Sequence, residues 1–548
     1  MRIDSNALSP PLQLQSKEAR KRSTETRKMH YPIQYESMEA VPQSQSTIVR
    51  RVFARLGELC RECVWRVSGL RKSALLAASL LLAGGLWLRL WLLGKLFEVN
   101  GDAQIYGGIA KNLLLHGRYA LNGTGSEVYP TLIRLPGYPF FLAASFRLFG
   151  MENDWAVALL QIALELVGCL LLADFARRIA PPRRKTAAAL ATLALAALCP
   201  FTASYTAVPL TEAPTLFAIA LALWAAGRFR ECRAWASALA FTFAVTFAAL
   251  LRPDGALLGV ALAPALLAGC WSRGEGENPE IHSAGAKSLT GQPHPANAKL
   301  VRMASICVLL ATLPFALWGW RNWKVFHVFE PLAPRYATDP GEEPHQGWIR
   351  WIKTWCLDFN CTEQVYWVVP GDRFDLSALP ARAFDSSRQY DETAALAADY
   401  NRGGMNLTSS LDARFAHLAE ERERAHPLRS HLLLPLGRLA DMVLRPRIEN
   451  LPIDLDWRVY AHHHRETAFS WFYVGLNALF LLLGLGGLLQ RPRLWPWMLL
   501  YILLRCALLC TIEAPEARYT LEFFPLLFVW GGLFLSWVWE FGLNRLRN

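Results

Sequence analysis

The sequence lacks a cysteine framework. Of its eleven cysteines, Cys169, Cys199, Cys232, Cys270, Cys307, Cys506 and Cys510 fall in or beside apolar segments, where a free thiol behaves as a small hydrophobe. Cys60 and Cys63 form a CxxC, but no second ligand pair follows at zinc spacing, which argues against a structural zinc site. Cys356 and Cys361 lie instead in a large polar region, where they would close a small disulfide in an oxidising compartment. The chain does not open on a short basic stretch followed by an apolar one, so no cleaved signal peptide is expected. Nucleic-acid motifs are absent as well. The net charge of +12 comes from Lys and Arg gathered in short loops and in the first residues, a pattern that encodes membrane topology and attracts anionic headgroups. Internal repeats, common in transporters, are not evident. The run His462, His463, His464 points successive side chains apart and makes no metal site.

What the sequence has is apolar length. Hydrophobic residues make up 53% of the 548, with 21 Trp, and several runs approach the ~20 residues that a bilayer asks of a helix. The expected fold is an all-α polytopic membrane protein of about 10–13 transmembrane helices with an extracytoplasmic soluble region, mixed or mainly helical. Residues 1–47 read as a disordered cytoplasmic tail and 48–73 as a basic amphipathic helix on the cytoplasmic leaflet. A transmembrane module follows over 74–320, with a first outer loop at 98–153. The soluble region spans 321–467, and further transmembrane helices occupy 468–548. Expected spans are 74–96, 154–176, 186–204, 209–226, 234–251, 255–271, 301–320, 469–489, 494–511 and 521–541. The apolar segment 137–149 is too short to cross and reads as an interfacial or re-entrant helix. An amphipathic stretch over 411–443 is expected to break at Pro427 and Pro435.

This topology brings Asp102, Arg134, Glu212, Arg252 with Asp254, and the stretch 513–519 out on one side. Charges at membrane depth are costly and mark sites or paths. Asp102 follows the first span directly, ahead of an amphipathic run (Tyr106, Ala110, Leu113, Leu114) that Gly117 would stop. Partial burial would raise the pKa of this carboxyl and make it a better base; the plain alternative is a loop residue in water. Glu212 either favours a helix start through the dipole or orients a hydroxyl in the same outer cavity. Arg134, Arg252 and Arg518 offer guanidinium forks suited to phosphate, and the choice among them stays open. Arg89, inside the first span, is expected to snorkel to the interface, with a phosphate contact as the alternative. The sequons at Asn122, Asn360 and Asn406 would all face outward.

These motifs resemble the GT-C class of polyprenyl-phosphate-sugar-dependent glycosyltransferases. They are most similar to bacterial relatives of the dolichyl-phosphate-mannose protein mannosyltransferases and of the lipid A aminoarabinose transferase. The likeness rests on Asp102-x-x-x-Tyr106, Arg134-Leu-Pro-Gly-Tyr138-Pro, Leu210-Thr-Glu212-Ala, Leu251-Arg252-Pro253 and Ala517-Arg518-Tyr519. It implies an inverting transfer of a sugar from a polyprenyl-phosphate carrier to a lipid, glycan or protein acceptor on the extracytoplasmic face of a bacterial inner membrane. Asp102 would be the general base. Tyr106, Arg134, Tyr138, Glu212, Arg252, Arg518 and Tyr519 would bind substrate. Family members often carry a second acid directly after the first; here Ala103 stands there, which leaves one carboxylate in the loop and a divalent metal unsupported. No cofactor is expected. A transporter or lipid flippase is the competing class, and a non-catalytic scaffold a third reading.

Overall fold

The computed structural model describes residues 72–123, 127–271, 295–454, 457–458 and 464–547. The expected tail, nearly all of the basic amphipathic helix, the CxxC, His462 and His463 lie outside these residues. So does 272–294, most of a polar loop. Lys72–Leu96 (α1) is an unbroken Leu- and Ala-rich helix. After Gly101, at φ 49°, Asp102–His116 (α2) begins with its acid in the first turn and ends at Gly117, in the left-handed conformation. Gly takes that conformation without steric cost. A ribbon of Ala120–Asn122 (β1) and Val128–Pro130 (β2) pairs antiparallel, Leu121 opposite Tyr129. The short apolar segment is the helix Gly137–Phe149 (α3).

Asp154–Ile179 (α4) is capped by Asn153, which accepts from the Ala156 N–H. Lys185–Ala197 (α5), Glu212–Cys232 (α6), Trp235–Leu251 (α7), Ala256–Trp271 (α8) and Pro295–Phe326 (α9) complete the first helical block. The region expected to be soluble is helical: Gln346–Lys353 (α10), Ser387–Arg402 (α11), Ser409–Ala425 (α12) and Leu434–Leu444 (α13). Trp348, Trp351, Trp355, Phe374 and Phe415 form its core. The Asp412 carboxylate accepts from the Gly347 and Trp348 N–H groups at the start of α10, and Cys356 is disulfide-bonded to Cys361. His464–Leu489 (α14), Trp495–Leu509 (α15), a tight turn at Ala517–Phe523 and Phe524–Arg547 (α16) follow.

Five stretches are long and apolar enough to cross a membrane: Lys72–Leu96, Asp154–Ile179, Lys299–Phe326, His464–Leu489 and Ala517–Gly542. Shorter apolar helices are Trp235–Leu251, Pro253–Leu266 and Trp495–Leu509. The protein is an all-helical polytopic membrane protein apart from its single ribbon among the described residues. Small residues set the closest approaches, as is usual between membrane helices. A Cβ on Gly487 would fall 1.8 Å from the Trp530 carbonyl oxygen, locking α14 onto α16.

Several expectations need correction. The span at 186–204 is two helices, α5 and a short turn Pro200–Ser204, because Pro200 cannot continue an α-helical ladder. The backbone beyond is buried, and the Gln161 side-chain amide donates to the Thr206 and Val208 carbonyls at 3.3 and 2.8 Å. Such rescue is what lets a broken helix persist in an apolar setting. Helix α6 runs on past 226 through the basic residues, since charge at a helix end ends the apolar run and not the helix. Pro435 sits in the first turn of α13, where its missing N–H costs nothing. Arg89 neither snorkels nor faces outward. It is fully buried, paired with Glu165 of α4, and donates to the Ala197 and Gly85 carbonyls at 2.6 and 2.9 Å.

Breaking that pair leaves an uncompensated charge in the bundle, a loss of ~3–5 kcal/mol. Glu165→Ala should therefore lower the thermal unfolding temperature of the detergent-solubilised protein sharply. Arg89→Met with Glu165→Leu should recover most of the loss.

Candidate active site

Five segments far apart in sequence meet at one end of the bundle. Asp102 comes from the first turn of α2 and Arg134 from the segment leading into α3. Glu212 opens α6, Arg252 follows α7, and Arg518 with Tyr519 lies in the Ala517–Phe523 turn. Gly137 permits part of this convergence. A Cβ there would lie 2.6 Å from the Leu250 carbonyl oxygen, so α3 can start directly against the end of α7.

The contacts form one continuous charged network. Arg134 Nη2 donates to Asp102 Oδ1 at 2.6 Å, and Arg518 Nη2 to Oδ2 at 3.3 Å. Arg518 also pairs with Glu516 at 2.6 Å and lies 3.7 Å from Glu212 Oε1. Arg252 reaches Glu212 at 3.5 Å, Asp254 at 3.4 Å and Glu522 at 3.8 Å. Beneath it, Arg505 of α15 pairs with Asp254 and Glu522 at 2.8 and 2.7 Å and donates to the Tyr519 carbonyl. Four arginines thus face five carboxylates.

Depth sorts these groups. The Asp102 side chain is 32% exposed and that of Glu212 only 4%, so Asp102 meets solvent and Glu212 is buried. One Glu212 oxygen, Oε2, is buried without a hydrogen-bond partner among the described residues. Arg134 lies over the Tyr106 ring, and both Arg252 and Arg518 lie over Tyr519. Tyr519 donates to Glu516.

The charge state of Asp102 differs from the sequence-based expectation. Burial does push its carboxyl upward, but the adjacent Arg134 and Arg518 guanidinia outweigh it and hold the group below the usual carboxylate range. The Tyr106 hydroxyl, desolvated and partly relieved by Arg134, is raised to about 12 and stays protonated. Tyr138 also departs from expectation. It is fully buried behind Tyr106, edge-on to it at 5.0 Å, and donates to Gln161 at 2.8 Å. The remaining substrate-binding candidates all belong to the network or border it.

Sequence reasoning passed over Glu516, Arg505, Glu522 and Gln161. The last three are polar side chains inside apolar segments, the very signal that marks function or structure at membrane depth. Among the described residues no group of three or more His, Cys, Asp or Glu is placed to hold a metal ion.

The arginines themselves are held through their backbone. Tyr119 donates to the Arg134 and Leu135 carbonyls at 2.9 and 3.2 Å. Arg321, at the end of α9, donates to the Tyr119 and Thr131 carbonyls, each at 2.7 Å. Asp339 accepts from the Leu132 N–H at 2.7 Å. On the opposite side Arg447 donates to the Ala517 carbonyl at 2.8 Å. Tyr119→Phe removes bonds worth ~1 kcal/mol each. Hydrogen exchange across 131–136 should accelerate by about 3–10-fold, while exchange in α4 stays unchanged.

Residues 133–290 match the family model described as dolichyl-phosphate-mannose-protein mannosyltransferase. The match takes in Arg134, Tyr138, Glu212 and Arg252 and leaves out Asp102 and Arg518. No curated protein matches the chain. A crystal structure of ArnT from Cupriavidus metallidurans bound to undecaprenyl phosphate aligns over 84% of this chain and 77% of that one, at 15% identity and a TM-score of 0.35. Over 133–290 the chain is similar to the dolichyl-phosphate-mannose-protein mannosyltransferases, the family whose motifs its sequence resembles.

Proposed function

We propose that this protein is an integral-membrane glycosyltransferase. It moves a sugar from a polyprenyl-phosphate carrier to a lipid, glycan or protein acceptor. The observation that carries this reading is the meeting of the part-exposed Asp102 with Arg134 and Arg518 in one network with Glu212 and Arg252. A carboxylate beside two phosphate-binding guanidinia, at the end of membrane-spanning helices, suits a sugar phosphate tethered in lipid. The family match over 133–290 supports the same donor class.

In this reaction the acceptor hydroxyl oxygen attacks the anomeric carbon from the side opposite the phosphate, and its proton passes to Asp102. The bond between the anomeric carbon and the phosphate oxygen breaks, its electron pair leaves with the polyprenyl phosphate, and the configuration inverts. Arg134 and Arg518 hold the charge that develops on the leaving phosphate, as preorganised cations do for a transition state. The unpartnered Glu212 oxygen is available to a sugar or acceptor hydroxyl, and Tyr106 and Tyr519 offer aromatic faces beside the arginines. The sided distribution of Lys and Arg in the loops favours an extracytoplasmic site with a cytoplasmic N-terminus, in a bacterial inner membrane.

Proteoliposomes holding wild type or Asp102→Asn, offered a panel of radiolabelled polyprenyl-phosphate sugars, test the proposal. Loss of a general base lowers transfer ~10²–10⁴-fold with no change in the protein's insertion or monodispersity. Near-normal transfer by the variant removes Asp102 from the role.

A further inference from the structure

Both oxygens of Asp102 are occupied, and by the same two guanidinia that a phosphate bound beside it would use. Among the described residues its carboxylate accepts no other hydrogen bond. The deeper arginines are committed elsewhere. Arg252 is shared among Glu212, Asp254 and Glu522, and Arg505 is sealed against Asp254, Glu522 and the Tyr519 carbonyl. With five carboxylates to four arginines, no cation of the network lacks an acidic neighbour. A phosphate that binds through the Nη2 groups of Arg134 and Arg518 takes them from the carboxylate that already holds them.

The structure indicates which carboxylate yields. Glu212, Glu516 and Glu522 have side chains only 4–6% exposed. Stripping a guanidinium from any of these would strand a charge in the interior, a cost of several kcal/mol. Asp102 is 32% exposed and sits on the first turn of α2, directly after Gly101. It can turn toward solvent and find water or a hydroxyl in place of its arginines.

We propose that the donor's phosphate and Asp102 compete for Arg134 and Arg518, so that donor binding is the event that frees the Asp102 carboxylate for proton transfer. This rests on the polyprenyl-phosphate reading above and adds an order of events to it. Before the donor arrives, Asp102 is neutralised by its arginines and takes no proton from a hydroxyl or from water. Once the phosphodiester is seated, the guanidinia face a single negative charge on it, and the released carboxylate faces the acceptor. As the anomeric carbon–oxygen bond breaks, the phosphate gains the electron pair and a second charge, which the same guanidinia hold. Asp102 meanwhile becomes a neutral acid. When the carrier leaves, Asp102 loses its proton to solvent and closes back onto Arg134 and Arg518.

The exchange makes Asp102 an inhibitor of carrier binding as well as the base, which is opposite to what a purely supporting residue would do. Binding of a polyprenyl phosphate, without sugar, to the purified protein in nanodiscs tests it by isothermal titration. Asp102→Asn and the smaller Asp102→Ala, each checked for monodispersity, should bind the carrier about tenfold more tightly than wild type while losing transfer. Arg134→Gln and Arg518→Gln should bind it more weakly. If wild type binds the carrier and neither Asp102 variant binds more tightly, the exchange is wrong and the glycosyltransferase reading stands. If wild type binds no polyprenyl phosphate at all, the donor reading falls and takes the exchange with it.

Discussion

Arg518 is the hinge-pin of this molecule. One guanidinium, carried on the turn Ala517–Phe523, touches Asp102 at the start of α2, lies within ion-pair distance of Glu212 at the start of α6, and pairs with Glu516 beside it. Its position is not left to its side chain alone. Arg447 and Arg505 grip the backbone on either side of it through the Ala517 and Tyr519 carbonyls. Segments more than 400 positions apart are thereby drawn to one charged end, and the bundle around them has to accommodate it. A cluster of this kind is tolerable in an apolar setting only because nearly every charge has an opposite neighbour, since an isolated ion there would be prohibitively costly.

The same economy governs the rest of the helical block. Arg89 and Glu165 neutralise each other deep between α1 and α4, and Gln161 satisfies the carbonyls exposed where the chain bends after Pro200. Glycines such as Gly487 then let backbones approach to contact distance. The region between α9 and α14 is built by different rules, with a tryptophan-rich core, a helix start capped by Asp412 and a disulfide. It reaches the charged end through Asp339 and Leu132.

Much of this was legible in the sequence. Apolar length located most of the apolar helices, because period and hydropathy are local properties, but it missed the break before Pro200 and the extension of α6 to Cys232. The short segment 137–149 appears as the helix Gly137–Phe149, and Gly117 ends α2 as its residue type suggested. Asp102, Arg134, Glu212, Arg252 and Arg518, which the sequence grouped by the charge of the loops, meet in one network. Pairing was not legible. Whether Arg89 meets lipid or Glu165, and whether Asp102 is perturbed more by burial or by its arginines, depends on which helices pack together. Arg505 and Glu522 were overlooked because each looked like one awkward residue in a long apolar run, and only their contact explains both.

Gln161 has a consequence beyond holding the bend. Its amide is used at both ends, oxygen toward Tyr138 and nitrogen toward two main-chain carbonyls. Turning it over would set oxygen against oxygen twice, so its orientation is dictated by its surroundings. That polarity fixes the phenolic hydrogen of Tyr138 on the Gln161 oxygen. Whatever protons move at the charged end, this tyrosine has none to lend.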